Sequence, residues 1–341
     1  MTAAAALRSA IEEALGPAVT VVGFEGPEQM EWSFHFEVHV RGWRSGEVTL
    51  LAKVPRWGEA PTLDAAVAAG PQEATRLEFE SLGRLHSAIL DSGDPGLAAV
   101  EPVAFVEPVN AIVMTHLRSR PLQARLGLGK GGGDPAALFQ RIGRWLRVLH
   151  DTLGAPEAAP GVFDAAAAVE DLRETEQVVR RKGPSPRGLL TALAGLRAKA
   201  ADIDGAETGA GVIHGDLSQG NVLVSPDERV ALIDPNPAPG DIHLDAAHLL
   251  ADVVARRSQL ASLGMLRSPE VVAGWADDAA AGHGGLNKPV LEFYRSRALI
   301  DRWVSLLGTT GSPSSWIALR AAGRVIRAHT GSAVRAEQSP E

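Results

Sequence analysis

The 341-residue chain contains no cysteine, which excludes disulfides, thiolate nucleophiles and cysteine-ligated metals. No apolar run reaches the roughly 18 residues that a membrane-spanning helix needs, and no internal repeat is evident. Met1 to Gly16 lacks the basic start and apolar core of a secretory leader and reads as a short alanine-rich helix. A cytoplasmic chain is therefore expected. Positive charge is also in deficit: 33 Lys and Arg stand against 41 Asp and Glu, a net charge of −8. That balance argues against a nucleic-acid surface and is compatible with a cationic substrate. The 10 histidines form no His-Glu-x-x-His pattern. No Gly-x-Ser-x-Gly elbow is present to carry a serine nucleophile. What is there is an ordinary globular composition, 45% hydrophobic and 22% charged, with mean hydropathy +0.01. At this length two lobes or domains are expected.

The first hundred residues read as β-rich with one helix. Ala18 to Phe24 is a β-branched strand, and Trp32, Phe34, Phe36, Val38 and Val40 alternate with Ser33, His35, Glu37 and His39, the period of a half-buried strand. Arg41 to Gly46 reads as a turn and Val48 to Val54 as the next strand. A Gly/Ala/Pro-rich insertion from Trp57 to Pro71 leads into a helix from about Gln72 to Leu90, then strands near Val100–Val106 and Ala111–Leu117. From there the chain turns helical. Arg118 to Pro135 is a Gly-rich linker or lid, Leu138 to Leu153 a strongly periodic helix, and further helices follow over Ala165–Ala201 and from Leu244 onward. The expected division is a lobe at 1–117, a helical lobe at 118–330 and a disordered tail at 331–341.

One stretch carries the chemistry. His214-Gly215-Asp216-Leu217-Ser218-Gln219-Gly220-Asn221 lies between the short apolar runs Val212-Ile213 and Val222-Leu223-Val224, which puts Asp216 in a loop between strand-like segments. Val230-Ala231-Leu232-Ile233 then delivers Asp234 to the end of another short strand. Phosphoryl transfer needs positioning and charge neutralisation more than covalent chemistry. In this arrangement Asp216 accepts or orients the proton of an acceptor hydroxyl, while Asn221 and Asp234 supply oxygen ligands to Mg²⁺.

Such a reaction also needs a cation on the phosphates. Lys53 lies inside Val48-Thr49-Leu50-Leu51-Ala52-Lys53-Val54, and a charge in so apolar a strand is costly unless it is paired or liganded. Glu73, Glu78 and Glu80 on the following helix are the available carboxylates. Leu82, Leu85 and Ile89 mark the buried face, and helical periodicity puts Glu78 on it while Glu80 projects elsewhere. A Lys53–Glu78 pair over the nucleotide phosphates is the expectation.

With these residues in place, the chain resembles the aminoglycoside phosphotransferase and choline kinase-like enzymes, relatives of the protein kinases. His-Gly-Asp-Leu-Ser-Gln-Gly-Asn-Val-Leu, from His214 to Leu223, looks like that family's catalytic loop, and Leu232-Ile233-Asp234-Pro235 like its metal-binding segment. The run from Ile233 to Asp241, with Asp245 opening a helix, is similar to the antibiotic-kinase pattern, and its Ile-Asp-Pro-x-Pro looks closest to the streptomycin- and hydroxyurea-modifying branch. The resemblance spans about residues 18–307, with sharp motifs only over 212–247. It implies an α+β, two-lobed protein kinase-like fold with a small β-rich N-lobe and a larger helical C-lobe. It implies that Lys53 and Glu78 are the family's strand lysine and helix glutamate, and that His214 and Asp245 support the loop. It also implies a nucleobase site along Ile112 to Leu117, with main-chain groups near Thr115 and Leu117 facing adenine and Met114 either lining that site or packing in the core. Trp145-Leu146-Arg147-Val148-Leu149-His150 resembles the family's Leu-x-x-Leu-His helix, with His150 a buried structural residue. The chain departs from protein kinases between its first two strands: Phe24-Glu25-Gly26-Pro27-Glu28-Gln29-Met30-Glu31 is no Gly-x-Gly-x-x-Gly and makes a poor phosphate cradle.

The function implied is transfer of the γ-phosphate of ATP, or of GTP, with Mg²⁺, to a hydroxyl of a small molecule. The acceptor expected is an aminoglycoside or similar antibiotic, which would make the chain an antibiotic-resistance enzyme. A metabolite (an amino sugar, ketosamine, choline-like alcohol or nucleoside) is the alternative, and a nucleotide-binding pseudokinase a third reading. Asp277, Asp278, Glu292, Tyr294, Arg297, Asp301 and Trp303 are candidates to receive amino groups or stack on a sugar; a solvated helix face with core aromatics accounts for them equally well. Arg118 and Arg120 read as solvated linker charges. No nucleic-acid or membrane partner is expected, and the chain is expected to be a monomer or homodimer.

Overall fold

The computed structural model describes residues 2–30, 32–44, 46–56, 60–70, 72–126, 134–154, 160–181, 187–255, 268–307 and 323–330. The tail expected at 331–341 lies outside them. The chain forms two compact units, Met1–Ser119 with Ser225–Pro235, and Arg120–Val224 with Asn236–Glu341. The short segment that carries Asp234 thus belongs with the N-terminal unit.

The first unit runs α1 (Ala3–Leu15), β1 (Thr20–Gln29), β2 (Ser33–Trp43), β3 (Gly46–Pro55), α2 (Leu63–Ala68), α3 (Glu73–Ser92), β4 (Pro102–Val106) and β5 (Ala111–Thr115). Its five strands form an antiparallel sheet in the order β1-β2-β3-β5-β4. The period-2 pattern of β2 sorts its faces: Phe34, Phe36, Val38 and Val40 are buried in a core with Leu50, Ala52 and Val54 of β3 and Leu7 and Ile11 of α1. The register opposes His35 to Lys53 and Phe36 to Ala52, so the opposite face of the sheet carries Ser33, His35, Glu37, His39 and Lys53. A second apolar cluster of Leu82, Val100, Ile112 and Met114 lies on that side, with Leu51, Phe79, Leu117 and Ile233 packed against it.

Three expectations need correction here. The loop expected at Phe24–Glu31 is largely strand, since β1 continues to Gln29 and pairs Phe24 with Val38, Glu25 with Glu37 and Glu28 with His35 across a bulge. A bulge absorbs the Gly26-Pro27 step, so the proline does not end the strand. Trp32, read as the first inward residue of β2, is 61% exposed, because it precedes the strand at the hairpin tip. The Arg41–Gly46 turn is shorter than expected, with β2 reaching Trp43 and β3 starting at Gly46. The insertion at 57–71 also holds α2, capped by the Thr62 hydroxyl, which accepts from the Ala65 amide at 3.2 Å.

The second unit contains β6 (Arg120–Pro121), α4 (Leu122–Arg125), α5 (Pro135–Leu153), β7 (Pro160–Val162), α6 (Ala165–Arg181), α7 (Arg187–Asp202), β8 (Glu207–Ile213) and β9 (Val222–Val224). The chain then enters the first unit as β10 (Val230–Leu232), where Val230 bridges Leu97, and returns as β11 (Ala238–Asp241), α8 (His243–Ala255), α9 (Pro269–His283) and α10 (Lys288–Leu306). Within the second unit β8 lies between β7 and β11 in an antiparallel sheet. Among the described residues, no helix is long and apolar enough to cross a membrane.

Helix α5 is the clearest product of sequence pattern. Asp134 caps it, accepting from the Ala136 amide at 3.0 Å, and Pro135 fits the first turn, where no amide partner is needed. Leu138, Phe139, Ile142, Trp145, Leu146, Leu149 and Leu153 repeat at helical spacing and are all buried. The same face carries Gly143, where α9 approaches so closely that a Cβ would lie 2.1 Å from the Ala279 carbonyl oxygen and 2.8 Å from the His283 nitrogen. Helix propensity alone favours Gly→Ala by about 1 kcal/mol. The clash has the opposite sign and should win: Gly143→Ala is expected to lower stability by about 1–3 kcal/mol, read as a lower denaturant midpoint. A raised midpoint would show that α5 and α9 are not held in contact.

Candidate active site

In the first unit the structure gathers Lys53, Glu78 and Asp234. Lys53 is 8% exposed in the middle strand of the sheet. Its ammonium donates to Glu78 Oε1 at 2.7 Å and to Asp234 Oδ1 at 2.9 Å. Glu78 reaches it because α3 turns Leu82, Leu85 and Ile89 toward the core and Glu78 shares that side. Glu73 and Glu80 pair instead with exposed Arg76. Burial by itself would lower the Lys53 pKa, but the charges of Asp234 and Glu78 and their hydrogen bonds outweigh it and hold the ammonium above its ordinary value. Glu78 is shifted upward, chiefly by burial and further by Asp234, with Lys53 opposing.

Asp234 follows β10 with φ of 56°, the left-handed region that non-glycine residues occupy at a cost of order 1–3 kcal/mol and mostly where function requires it. Its side chain is 34% exposed. Sequence reasoning assigned Asp234 to metal binding and did not foresee its ion pair with Lys53, which lies far away along the chain. His35, opposite Lys53 on β2, was also passed over. Its pKa is lowered, first by burial and then by Lys53 and His116, against the pull of Asp234 and Glu28.

The residues read as a nucleobase site end β5. Met114 is 4% exposed and packs with Leu82, Val100 and Ile112. The Thr115 amide donates to the Glu101 carbonyl at 2.9 Å, and its hydroxyl accepts from the Glu101 amide at 2.8 Å. The Leu117 carbonyl accepts from the Ser119 hydroxyl at 3.1 Å.

In the second unit the segment from His214 to Asn221 is pinned by α8. Asp245, in the first turn of that helix and 1% exposed, accepts from the His214 amide at 2.8 Å (Oδ2) and the Gly215 amide at 3.3 Å (Oδ1). Farther along α8, Asp252 accepts from both the amide and the side-chain nitrogen of buried Gln219, at 3.0 and 3.2 Å. One helix therefore grips the loop at both ends. The sequence reading had no place for Asp252, although it follows Asp245 by two helical turns and so shares its face. Between the grips, Gly215 has φ of 79°, and a Cβ there would lie 2.2 Å from the Asn236 carbonyl oxygen. Only glycine fits. The turn leaves Asp216 exposed, and the Asn221 side-chain nitrogen donates to the Asp216 carbonyl at 2.8 Å and to its carboxylate at 3.3 Å.

Behind the loop, Asp245 also accepts from His150 Nε2 at 2.9 Å. Burial raises a carboxyl pKa, yet the bond to His150, the nearby His214 and His150 rings and the His214 amide together hold Asp245 below its ordinary value. His150 and His214 are both buried, as structural histidines are.

The acceptor candidates are mostly spoken for. Asp277 pairs with Lys288 at 2.8 Å, Asp278 accepts from Gln140 at 3.1 Å, and Glu292 pairs with Arg295 at 2.5 Å. Arg297 bonds Asp301 at 2.9 Å, Asp171 at 2.5 Å and Thr175 at 2.8 Å. Trp303 is 1% exposed and belongs to the core. Tyr294 packs edge-on against Phe163 and Phe293; burial, then the charge of Asp241 and a hydrogen bond to it, raise its pKa. Arg120 opens β6, opposite Val224.

Comparison with known proteins gives a family and a fold for the chain. The model of the family described as "Phosphotransferase enzyme family" matches residues 45–293. Among solved structures, a candidate aminoglycoside phosphotransferase from Ralstonia eutropha JMP134 is 16% identical, covers 97% of this chain and 98% of its own, and superposes with a TM-score of 0.55. A macrolide 2′-phosphotransferase type I is 19% identical over 95% of this chain and 96% of its own, at a TM-score of 0.51. The ligand-free macrolide 2′-phosphotransferase of Brachybacterium faecium is 18% identical over 93% and 97%, at 0.50. These likenesses establish the protein kinase-like α+β fold. A search of curated proteins found no significant match. The chain belongs to the phosphotransferase enzyme family and is a phosphotransferase that acts on hydroxyl groups of small molecules.

Proposed function

We propose that the chain transfers the γ-phosphate of ATP to a hydroxyl of an aminoglycoside or similar antibiotic, with Asp216 as the catalytic residue. The observation that carries this reading is the loop itself: an exposed carboxylate on a turn only glycine can make, with the two preceding amides tied to a buried aspartate and its own side chain bonded to Asn221. A group so fixed takes or orients the acceptor proton without reorganising as the reaction proceeds. Lys53, set by Glu78, is the cation for the α- and β-phosphates. Main-chain groups near Thr115 and Leu117, beside Met114, serve the nucleobase, where GTP is the alternative to ATP. His214 and Asp245 support the loop.

Two residues each have the chemistry of a Mg²⁺ ligand. Asp234 offers a partly exposed carboxylate, and Asn221, whose nitrogen is engaged by Asp216, offers its amide oxygen. Hard divalent cations take oxygen ligands of this kind. Held by such oxygen ligands, Mg²⁺ would neutralise charge on the phosphates. Dependence on ATP puts the enzyme in the cytoplasm, and an antibiotic acceptor makes it a resistance determinant.

One observation favours a second acceptor class. Asp277, Asp278, Glu292 and Asp301, the carboxylates that were candidates for a polycationic antibiotic, each already have a partner within the unit. A less cationic acceptor, such as an amino sugar, ketosamine, choline-like alcohol or nucleoside, needs fewer of them. ATP consumption measured in parallel with aminoglycosides, macrolides, hexosamines and nucleosides separates the two. Sensitive host cells that gain no resistance on expression would count against the antibiotic. A pseudokinase predicts no melting-temperature shift with Mg-ATP and no turnover with any alcohol; the presence together of Lys53, Asp216, Asn221 and Asp234 speaks against it.

Two substitutions test the assignments. Asp216→Ala is expected to lower kcat by about 10²–10⁴ and leave nucleotide affinity nearly unchanged; near-normal turnover would mean the catalytic loop is wrongly assigned. Asp234→Ala is expected to abolish the melting-temperature shift produced by Mg-ATP, and a retained shift would remove Asp234 from the nucleotide site.

A further inference from the structure

We infer that His283, at the end of α9, is a positioning residue for the catalytic loop, acting through His150 and Asp245 along hydrogen bonds whose proton order is fixed by the Gly285 amide. The inference rests on the reading of Asp216 as the catalytic residue.

The order follows from which groups can only donate. Helix α9 ends at Gly284 in the left-handed conformation, φ 75°, and the next amide, Gly285 N–H, points back at His283 Nδ1 at 3.2 Å. An amide nitrogen has only a proton to give, so Nδ1 is the acceptor, and a neutral ring then carries its proton on Nε2. His283 Nε2 lies 3.0 Å from His150 Nδ1, so His283 donates and His150 accepts. The His150 proton is thereby placed on Nε2, which lies 2.9 Å from Asp245 Oδ2. Asp245 is the terminal acceptor, and it also takes the amides of His214 and Gly215, the two residues before Asp216. Reversing His283 sets its Nδ1–H against the Gly285 N–H, and reversing His150 alone sets its Nδ1–H against the Nε2–H of His283. With neutral rings, one arrangement satisfies every member.

The rings are well suited to such coupling. His150, His283 and Asp245 are 7%, 4% and 1% exposed, and in so dry a place an unmade bond is expensive. The two rings are tilted by 51°, so they meet edge to edge as hydrogen-bond partners and not as a stack. The backbones come close enough because Gly143 and Gly282 lack side chains: a Cβ at Gly282 would lie 2.1 Å from the Gln140 carbonyl oxygen. A second proton on His283 would face the Gly285 N–H. Burial, then His150, Arg147 and His243, push its pKa down to about 3 against the pull of Asp245, so the ring stays neutral.

Two variants of the full-length chain separate the links. His283→Gln places an amide nitrogen where Nε2 stood and keeps a donor to His150; His283→Asn stays beside Gly285 and cannot reach His150. In the wild type, two-bond ¹H–¹⁵N spectra at neutral pH should give the neutral Nε2–H tautomer for both His150 and His283. His283→Asn should lose hydrogen-exchange protection at the His214 and Gly215 amides and lower kcat by about threefold to tenfold, the equivalent of one neutral hydrogen bond, with nucleotide KM unchanged. His283→Gln should retain most of both. Adding His150→Leu to His283→Asn should cost little beyond His150→Leu alone, because the two act in series. An Nδ1–H tautomer or imidazolium at either wild-type ring, unchanged protection in His283→Asn, or equal behaviour of the Asn and Gln variants overturns the proposal. If no acceptor is phosphorylated by the wild type, the functional reading fails by itself, and the spectra and exchange rates still decide the relay.

Discussion

A carboxylate taken out of water must be met by donors, and Asp245 at the start of α8 is met by the amides of His214 and Gly215 and the ring of His150. Desolvating such a group costs several kcal/mol, so the structure is stable only while those bonds are made. The place is also favourable in itself, since the first turn of a helix presents unpaired amides and the positive end of its dipole. The consequence is directional: the chain after β8 has to bend onto the aspartate, and the bend requires the positive φ of Gly215. Asp216 is exposed because its neighbours are held down. The exposure of Asp216 thus follows from satisfying one buried charge.

The same logic governs the first unit with the signs reversed. Lys53 sits within an apolar strand, and its ammonium is tolerable only because Glu78 and Asp234 flank it. Such a cluster is a poor way to stabilise a fold, since apolar residues of similar volume would do as well or better. Its presence is better explained by a task for the cation. Asp234 adds a strained backbone to that cost. Buried charge and strained backbone meet at one aspartate, which is what a functional site looks like when stability has been given up for placement.

Much of this was legible in the order of residues. The alternation of Phe34, Phe36, Val38 and Val40, and the helical repeat from Leu138 to Leu153, are local periodicities that decide which side of an element is apolar, and both faces are buried in the fold. The choice of Glu78 over Glu73 and Glu80 followed from the same rule. Trp32 shows its limit: an aromatic in phase with a strand is still exposed when the strand has not yet begun. The length of β1 was misjudged for a related reason, because Gly26-Pro27 reads locally as a break and only the pairing with β2 carries the strand across it.

By itself the sequence determined the alternation of elements, the His-Gly-Asp loop motif and the phosphotransferase class, because each is written in spacings of a few residues, where backbone geometry alone decides what lies near what. The tertiary structure decided the rest. That Lys53 has a second carboxylate in Asp234, that Asp252 grips Gln219, and that His283 stands behind His150 are contacts between residues remote along the chain. No local period encodes them. They exist because α9 packs onto α5 at glycine distance, α8 runs beneath the loop, and β10 returns to the first unit, and packing is a property of whole elements brought together.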